Sequence, residues 1–234
     1  MTLPPEFGIE SMSAIVYLDS NPWLALCLLG IFSLLLGSFF NVVIYRLPKM
    51  MEANWKHECQ LILEQEPTSP PESFNLALPN SHCPQCGAAV KAWQNIPVLS
   101  YIMLRGRCAS CQNKIGLRYP AVELATAALA VFTALQFGFT WQALAVILFS
   151  WLLLIMSVID IDHQLLPDSL TLPLLWLGLA YNSLSGSVLL MDAVWGAIAG
   201  YLSLWSVYWL FKLITGKEGM GYGDFKLLAL LGAW

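Results

Sequence analysis

The chain has 234 residues, of which 58% are hydrophobic and only 11% are charged, and its formal net charge is −4. A soluble globular domain carries roughly a quarter charged residues, so the composition excludes a disordered chain, a coiled coil and an ordinary cytosolic enzyme. Uncharged runs cover residues 20–45, 124–159, 169–191 and 193–211, and a membrane-spanning helix needs about 20 such residues. The sequence therefore predicts an all-α polytopic membrane protein.

The basic residues predict how the chain is oriented in the membrane. Eight of the 11 lysines and arginines lie in 46–119, whereas the first 45 residues contain none. A cleavable signal peptide begins with basic residues, so we do not expect residues 1–45 to contain one. Because basic loops stay on the cytoplasmic side, we expect 46–119 in the cytoplasm and the N-terminus on the opposite side of the membrane.

About six spans are predicted in chain order. They cover residues from about 23–44, 120–137, 141–159, 168–184 and 190–213, and a last one begins near Phe225 and is cut off at Trp234. The run 124–159 is too long for one span and has a polar interruption at 136–142, so a hairpin of two helices is favoured over one long tilted helix. Residues 51–66 have a helical composition, and Pro67 to Pro71 form a flexible connection.

Four of the six cysteines stand in two Cys-x-x-Cys pairs, Cys83 with Cys86 and Cys108 with Cys111, with 21 residues between the pairs. Four thiolates complete a tetrahedral zinc site and leave no position for water, so the zinc is expected to be structural. Gln112 replaces the Gly that often follows such a turn. Two disulfides are the alternative, which a reducing cytoplasm opposes. The pattern predicts a small zinc-ribbon-like domain between the first two spans.

Carboxylates beside the spans are candidates for function, because ionisable groups are costly there. Asp160 ends the third span, where the helix dipole disfavours a negative charge. Asp162 is the competing candidate. It lies two residues after Asp160, and residues two positions apart do not share a helix face. Asp168 begins the fourth span and is expected to cap it, while the role of Glu123 is left undecided.

Asp224 closes the glycine-rich segment 219–224 and opens the last span. A phosphate-binding loop is excluded, since no strand precedes the segment and no Lys-Ser/Thr follows it. The fourth and fifth spans form a hairpin that returns the chain to the face of Asp160. Two carboxylates brought together share one proton, and such a pair can activate water and polarise a peptide carbonyl. The two residues therefore predict aspartic-peptidase chemistry at the cytoplasmic membrane boundary.

Four motifs in this order resemble the bacterial type IV prepilin leader peptidase/N-methyltransferases, which are membrane aspartic proteases of the GxGD type. The motifs are Gly37-Ser-Phe-Phe-Asn-Val-Val-Ile-Tyr-Arg-Leu-Pro48, the two Cys-x-x-Cys pairs, Asp160-Ile-Asp-His-Gln-Leu-Leu-Pro-Asp168 and Gly221-Tyr-Gly-Asp224. They extend over residues 37–224, nearly the whole chain. The ordered set is far more specific than a lone Gly-x-Gly-Asp.

The resemblance implies an activity and a pair of catalytic residues. Asp160 and Asp224 would be the catalytic pair of an endopeptidase that cleaves the basic leader of type IV prepilins or type II secretion pseudopilins after Gly. The site would face the cytoplasm at the bacterial inner membrane. The new N-terminal residue would then be methylated with S-adenosylmethionine. The residues themselves mark no methyl-donor site, and the resemblance makes Gly106 the candidate.

Three domains follow from this interpretation. Residues 1–45 form the periplasmic N-terminus and first transmembrane helix, 46–119 the cytoplasmic zinc-binding domain, and 120–234 the transmembrane aspartic peptidase domain. The family usually continues past Trp234, so this last domain is expected to be C-terminally incomplete. Prepilins or pseudopilins and the lipid bilayer are the expected partners, and no nucleic acid is expected.

The sequence leaves two other functions open. One is an intramembrane aspartic protease that acts on other substrates without methyltransferase activity. The other is a non-enzymatic membrane transport or assembly protein with a zinc-stabilised cytoplasmic domain. The second alternative predicts that both aspartates can be replaced without loss of function.

Overall fold

The structure, a computed structural model, describes residues 21–63 and 74–234, and its regular elements in these ranges are helices. The α-helices are α1 (Pro22–Ile62), α2 (Leu99–Met103), α3 (Arg118–Phe137), α4 (Trp141–His163), α5 (Asp168–Ser185), α6 (Leu190–Thr215) and α7 (Tyr222–Ala233). A short 3-10 helix, Ala92–Asn95, precedes α2. The predicted all-α fold class is confirmed.

Four of the helices, α1, α3, α4 and α6, are long and apolar enough to cross a membrane. The other two predicted spans correspond to α5, with 18 residues, and α7, with 12 residues. The six predicted spans thus correspond to six helices of a multi-span membrane protein.

The hairpin predicted within 124–159 is confirmed. α3 ends at Phe137, and Gly138 follows it with a φ of 67°, which glycine adopts at little cost. The hydroxyl of Thr140 accepts a hydrogen bond of 3.1 Å from the backbone N–H of Ala143 in the first turn of α4. A glycine stop and a side-chain cap therefore separate two helices where the alternative required one long helix.

α1 extends further than the sequence indicates. The prediction separates a first span ending near Ile44 from a helical segment that begins at Met51, but α1 is one helix of 41 residues with Pro48 inside it. A proline removes one backbone hydrogen bond, and the strongly helix-favouring residues on both sides continue the helix through it. The predicted periplasmic segment 1–20 and the connection at 67–71 lie outside the described residues.

The described residues form two compact units, which we call unit A (21–43 and 74–147) and unit B (44–63 and 148–234). In unit A, α1 packs closely against α3 at Gly37, where a Cβ atom would lie 2.7 Å from the Cα of Glu123. Thr126 and Ala130 of α3 are fully buried. The functional domain boundaries at residues 45 and 119 stay a prediction.

Unit B has a core built from three helices. Met156 of α4, Leu174 of α5 and Leu230 of α7 are almost fully buried and pack together. α5 and α7 run side by side in the same direction, since Asp168 pairs with Lys226 at their starts and the Asn182 side chain donates to the Ala233 carbonyl at their ends. The two helix starts therefore lie at one end of unit B.

A glycine crossing holds α7 against α6. Gly196 and Gly232 face each other so closely that a Cβ on either would collide with the carbonyl oxygen of the other. Small residues permit such close backbone approach between helices in membranes. No larger side chain fits at this crossing without moving the two helices apart.

Candidate active site and metal centre

The four predicted zinc ligands lie in two similar turns of unit A. An antiparallel bridge between His82 and Ala89 closes the first turn, which contains Cys83 and Cys86. A bridge between Arg107 and Lys114 closes the second, which contains Cys108 and Cys111. Each tight turn thus points two thiol groups in one direction.

The sulfur atoms fit a tetrahedral zinc ion. All four Sγ atoms lie within 4.8 Å of one another, and those of Cys83 and Cys111 are 3.8 Å apart. Zn–S bonds of about 2.3 Å in tetrahedral geometry require sulfur separations of about 3.8 Å. The cysteines are free thiols, and a disulfide would need sulfurs about 2.05 Å apart. The donor set and its spacing therefore suit zinc, and these four residues could hold it.

Backbone amides favour thiolate on two of the cysteines. The backbone N–H of Cys111, with that of Ser110, lowers the pKa of Cys108 to about 6. The N–H of Cys86 likewise lowers the pKa of Cys83. For Cys111, the N–H of Asn113 lowers the pKa, but burial and the neighbouring thiols outweigh it and raise the pKa to about 11. A metal bound here would add the positive charge that keeps all four thiolates deprotonated.

The two turns differ at their fifth position. Gly87 has a φ of 69°, and its counterpart Gln112 has a φ of 59°. The left-handed conformation costs a residue with a side chain about 1–2 kcal/mol. The second turn therefore carries backbone strain that the first avoids.

Replacing Gln112 with Gly is expected to tighten zinc binding. Removal of the strain outweighs the extra freedom that glycine has in the unfolded chain, about 0.5–1 kcal/mol, so the chelator concentration for half-maximal zinc release should rise about two- to fivefold. The matched variant Gly87→Gln should lower it by a similar factor. A Gln112→Gly protein that releases zinc as readily as the wild type would contradict the strain argument.

Gly106 lies just before the second turn and has a φ of 65°. Its N–H donates to the Tyr101 carbonyl at 2.8 Å, and its carbonyl accepts from Ile115 at 2.7 Å. A Cβ at this position would lie 2.7 Å from the Tyr101 hydroxyl oxygen. Both the backbone conformation and the space therefore require glycine here.

Glu123, which the sequence leaves undecided, ties α3 to the segment before α2. Its side chain is 8% exposed, and its Oε2 atom accepts a hydrogen bond of 2.8 Å from the backbone N–H of Val98. Ser38 of α1 also hydrogen-bonds this carboxylate. Val98 has a φ of 57°, which is rare for a β-branched residue. Glu123 thus holds a strained backbone position in unit A.

The two predicted catalytic aspartates both lie in unit B. Asp160 is exposed in the last turn of α4, and Asp224 is partly exposed in the first turn of α7. No hydrogen bond or ion pair to another described side chain involves either carboxylate. Both groups therefore have unused hydrogen-bonding capacity. Asp162, the competing candidate, is also exposed in the last turn of α4.

The segments that carry these two aspartates are in direct contact. Leu166, six residues after Asp160, packs against Gly223, the residue before Asp224. A Cβ at Gly223 would lie 2.9 Å from the Cβ of Leu166, so the approach requires glycine. The end of the Asp160–Asp168 motif and the start of α7 thus meet at one end of unit B.

A second contact joins the same segments. The ammonium group of Lys226 donates to both carboxylate oxygens of Asp168, at 2.8 and 2.6 Å. The prediction that Asp168 caps α5 is wrong, because the capping position is Pro167 and makes no side-chain bond. No local pattern in the sequence marks Lys226, since its partner lies 58 positions away.

Family comparisons match almost the whole chain. Residues 31–137 match the bacterial peptidase A24 N-terminal domain, and residues 147–234 match the type IV leader peptidase family. No solved structure matches the chain.

Several curated relatives carry the same name, prepilin leader peptidase/N-methyltransferase. The Pseudomonas aeruginosa protein is 59% identical over 95% of this chain and 77% of its own length. The Stutzerimonas stutzeri protein is 57% identical over the same shares. The Neisseria gonorrhoeae protein is 50% identical over 90% of this chain and 74% of its own length.

Proposed function

The chain belongs to the type IV leader peptidase family, and from this membership we propose that it cleaves the basic leader of type IV prepilins or type II secretion pseudopilins. Cleavage follows a Gly at the cytoplasmic face of the bacterial inner membrane, and the new N-terminus is then methylated with S-adenosylmethionine. That the chain is a peptidase follows from the family match and from relatives that are 50–59% identical. The substrate, the membrane and the order of the two steps are the proposal.

Asp160 and Asp224 are the proposed catalytic pair. The observation that carries this assignment is the contact between Leu166 and Gly223, since it joins the two segments in which the aspartates stand. Neither carboxylate has a hydrogen-bond partner among the described residues, which leaves both available to water and substrate and also supports the assignment. Asp162 stays outside the pair, because it lies about 200° around the helix from Asp160.

The proposed reaction needs one proton between the two carboxylates. The ionised aspartate takes a proton from water as the water oxygen attacks the scissile carbonyl carbon, while the protonated aspartate donates to the carbonyl oxygen. Collapse of the tetrahedral intermediate breaks the C–N bond, and a carboxyl proton passes to the leaving nitrogen. The leader leaves with a new carboxyl group and the pilin with a new amino group.

S-Adenosylmethionine supplies the methyl group, and Gly106 is the proposed residue of this chain at the methyl-donor site. Replacing Gly106 with Ala is expected to reduce methylation strongly, because the positive φ costs about 1–2 kcal/mol and the added Cβ meets the Tyr101 ring. Prepilin cleavage should be retained. The readouts are methylation, cleavage and zinc content of one preparation.

The second variant, Tyr101→Ala with Gly106→Ala, separates two roles of the glycine. Methylation that recovers when the ring is removed indicates that Gly106 only provides space. Methylation that stays lost, with zinc retained, indicates that the glycine backbone itself is needed, through its positive φ or through contact with the donor. Full methylation by the single variant Gly106→Ala would contradict its assignment to the donor site.

Zinc is proposed as a structural ion on Cys83, Cys86, Cys108 and Cys111. The sulfur spacing supports it, and four thiolates fill the coordination shell so that no water is activated. The location of this domain in the cytoplasm is supported by the eight basic residues within 46–119. Reduced cysteines are the expected state in that compartment.

One assay separates this function from its two alternatives. Purified protein in lipid vesicles is incubated with a prepilin and radiolabelled S-adenosylmethionine, and cleavage and label transfer are followed together. Cleavage with label on the mature pilin is the expected result. Cleavage without label would favour an intramembrane protease of other substrates, and the absence of both would favour a non-enzymatic assembly or transport protein.

A further inference from the structure

The ion pair of Lys226 and Asp168 lies beside the proposed catalytic pair but takes no part in the reaction described above. Lys226 stands two residues after Asp224 in α7, and Asp168 is the first residue of α5. One ammonium group contacts both carboxylate oxygens. Hydrogen bonds between two charged groups are short and about twice as strong as those between neutral groups.

The position of Lys226 on α7 determines what it can do. Two residues on a helix are about 200° apart, so Lys226 and Asp224 project from nearly opposite sides of α7. Lys226 therefore reaches α5 on one side and leaves Asp224 on the other. It is placed to orient the helix rather than to touch a substrate at Asp224.

Asp168 links its ion pair with Lys226 to Asp160, the other proposed catalytic residue. The linker between α4 and α5 holds only four residues, 164–167, so the position of Asp168 is closely tied to that of the α4 end with Asp160. Leu166 of the linker already contacts Gly223. An apolar contact and an ion pair thus fix the start of α7 at two neighbouring points.

We propose that Lys226 is a positioning residue for peptide cleavage: its ion pair with Asp168 sets the separation of the Asp160 and Asp224 carboxylates. The inference rests on the proposed function of these aspartates. The side chains of Lys226 and Asp168 are 30% and 52% exposed, and an exposed ion pair contributes little to fold stability. Catalysis is more sensitive, because a displacement of about 1 Å can lower a rate about 10²-fold.

The test replaces Lys226 with Gln in the full chain. We expect kcat for prepilin cleavage to fall about 10- to 100-fold, with KM and zinc content unchanged. In the variant Asp168→Asn with Lys226→Gln, which removes one charge of each sign and so leaves the net charge beside the pair unchanged, the alkaline limb of the pH–rate profile should shift to lower pH. Carboxylates that lie farther apart repel less when both are ionised, so the second proton leaves at a lower pH. A loss of folded protein alone would lower the rate without moving this limb.

Three further variants make the result specific. Lys226→Arg keeps the two-point contact and should restore most of the rate, and Asp168→Asn combined with Lys226→Gln should be no worse than either alone. Lys217→Gln is the matched control, since Lys217 lies in the loop before α7 and has no ion pair with another described residue; its rate should be unchanged.

Two outcomes overturn the inference. One is a Lys226→Gln enzyme whose rate and pH profile equal those of Lys217→Gln, and the other is a rate loss that Lys226→Arg does not restore. Asp224→Asn is run beside them. If Asp224→Asn stays active, the proposed catalytic pair itself has failed; if only Lys226→Gln stays active, the pair stands and the positioning role has failed.

Discussion

Prepilin cleavage is expected to fall about 10⁴-fold when Asp224 is replaced by Asn, which is the upper end of what acid–base groups contribute to a rate. Asn has the shape of Asp but cannot ionise or carry the shared proton. Asp160→Asn should have the same effect. The reaction needs one ionised and one protonated aspartate, and a single remaining carboxyl group cannot be both. The double variant should cleave only slightly more slowly than either single variant, as expected for two groups that act as one unit.

The measurement is the initial rate of leader release from a purified prepilin by equal amounts of vesicle-embedded variant. Asp192→Asn is the control, since Asp192 is an exposed carboxylate in the first turn of α6, and it should cleave at the wild-type rate. Asp162→Asn tests the competing candidate. If Asp162→Asn abolishes cleavage and Asp160→Asn does not, the assignment of the pair is wrong.

The second large effect concerns the cysteine cluster. Cys108→Ser is expected to remove zinc and to unfold the small domain around it, because structural zinc supplies about 10–16 kcal/mol of apparent binding free energy in small zinc domains. The small domain has few other sources of stability. None of the residues of α2 is buried, and an isolated bridge closes each of the two turns. A strong chelator should have the same effect on the wild type.

Zinc content and limited proteolysis between residues 74 and 117 report this change. The wild type should hold about one zinc per chain and resist the protease, and the variant should do neither. Cys59→Ser is the matched control, since Cys59 is an exposed free thiol outside the cluster. A wild-type protein purified without zinc, or a Cys108→Ser variant that keeps it, would refute the metal centre.

Features set by local chemistry could be predicted. The break between α3 and α4 follows from Gly138 and Thr140, which stop one helix and cap the next. The cysteine cluster follows from two short spacings that restrict where the thiols can point. The continuation of α1 through Pro48 departs from the prediction, because the helix preference of the residues around it outweighs the cost of one proline.

Features set by tertiary contacts could not be predicted. Asp168 has the residue type and place of a helix cap, and only the packing of α5 beside α7 brings Lys226 to its carboxylate. Only the resemblance points to Gly106, because the positive φ and the nearby Tyr101 ring that require glycine there depend on the fold of the loop. Glu123 likewise has no local signal for its bond to the Val98 amide.

The glycine crossing of α6 and α7 has a mechanical consequence for the proposed site. A Cβ at Gly200 would likewise lie 2.5 Å from the carbonyl oxygen of Leu228, so the two backbones touch at a second point nearer to Asp224. Asp224 lies eight residues from Gly232, a distance of about 12 Å along the helix axis. A tilt of α7 by about 5° would move Asp224 by about 1 Å, a distance large enough to change a rate about 10²-fold. Two close backbone contacts with α6 resist such a tilt, so the crossing keeps the start of α7, and the proposed carboxylate on it, in one place.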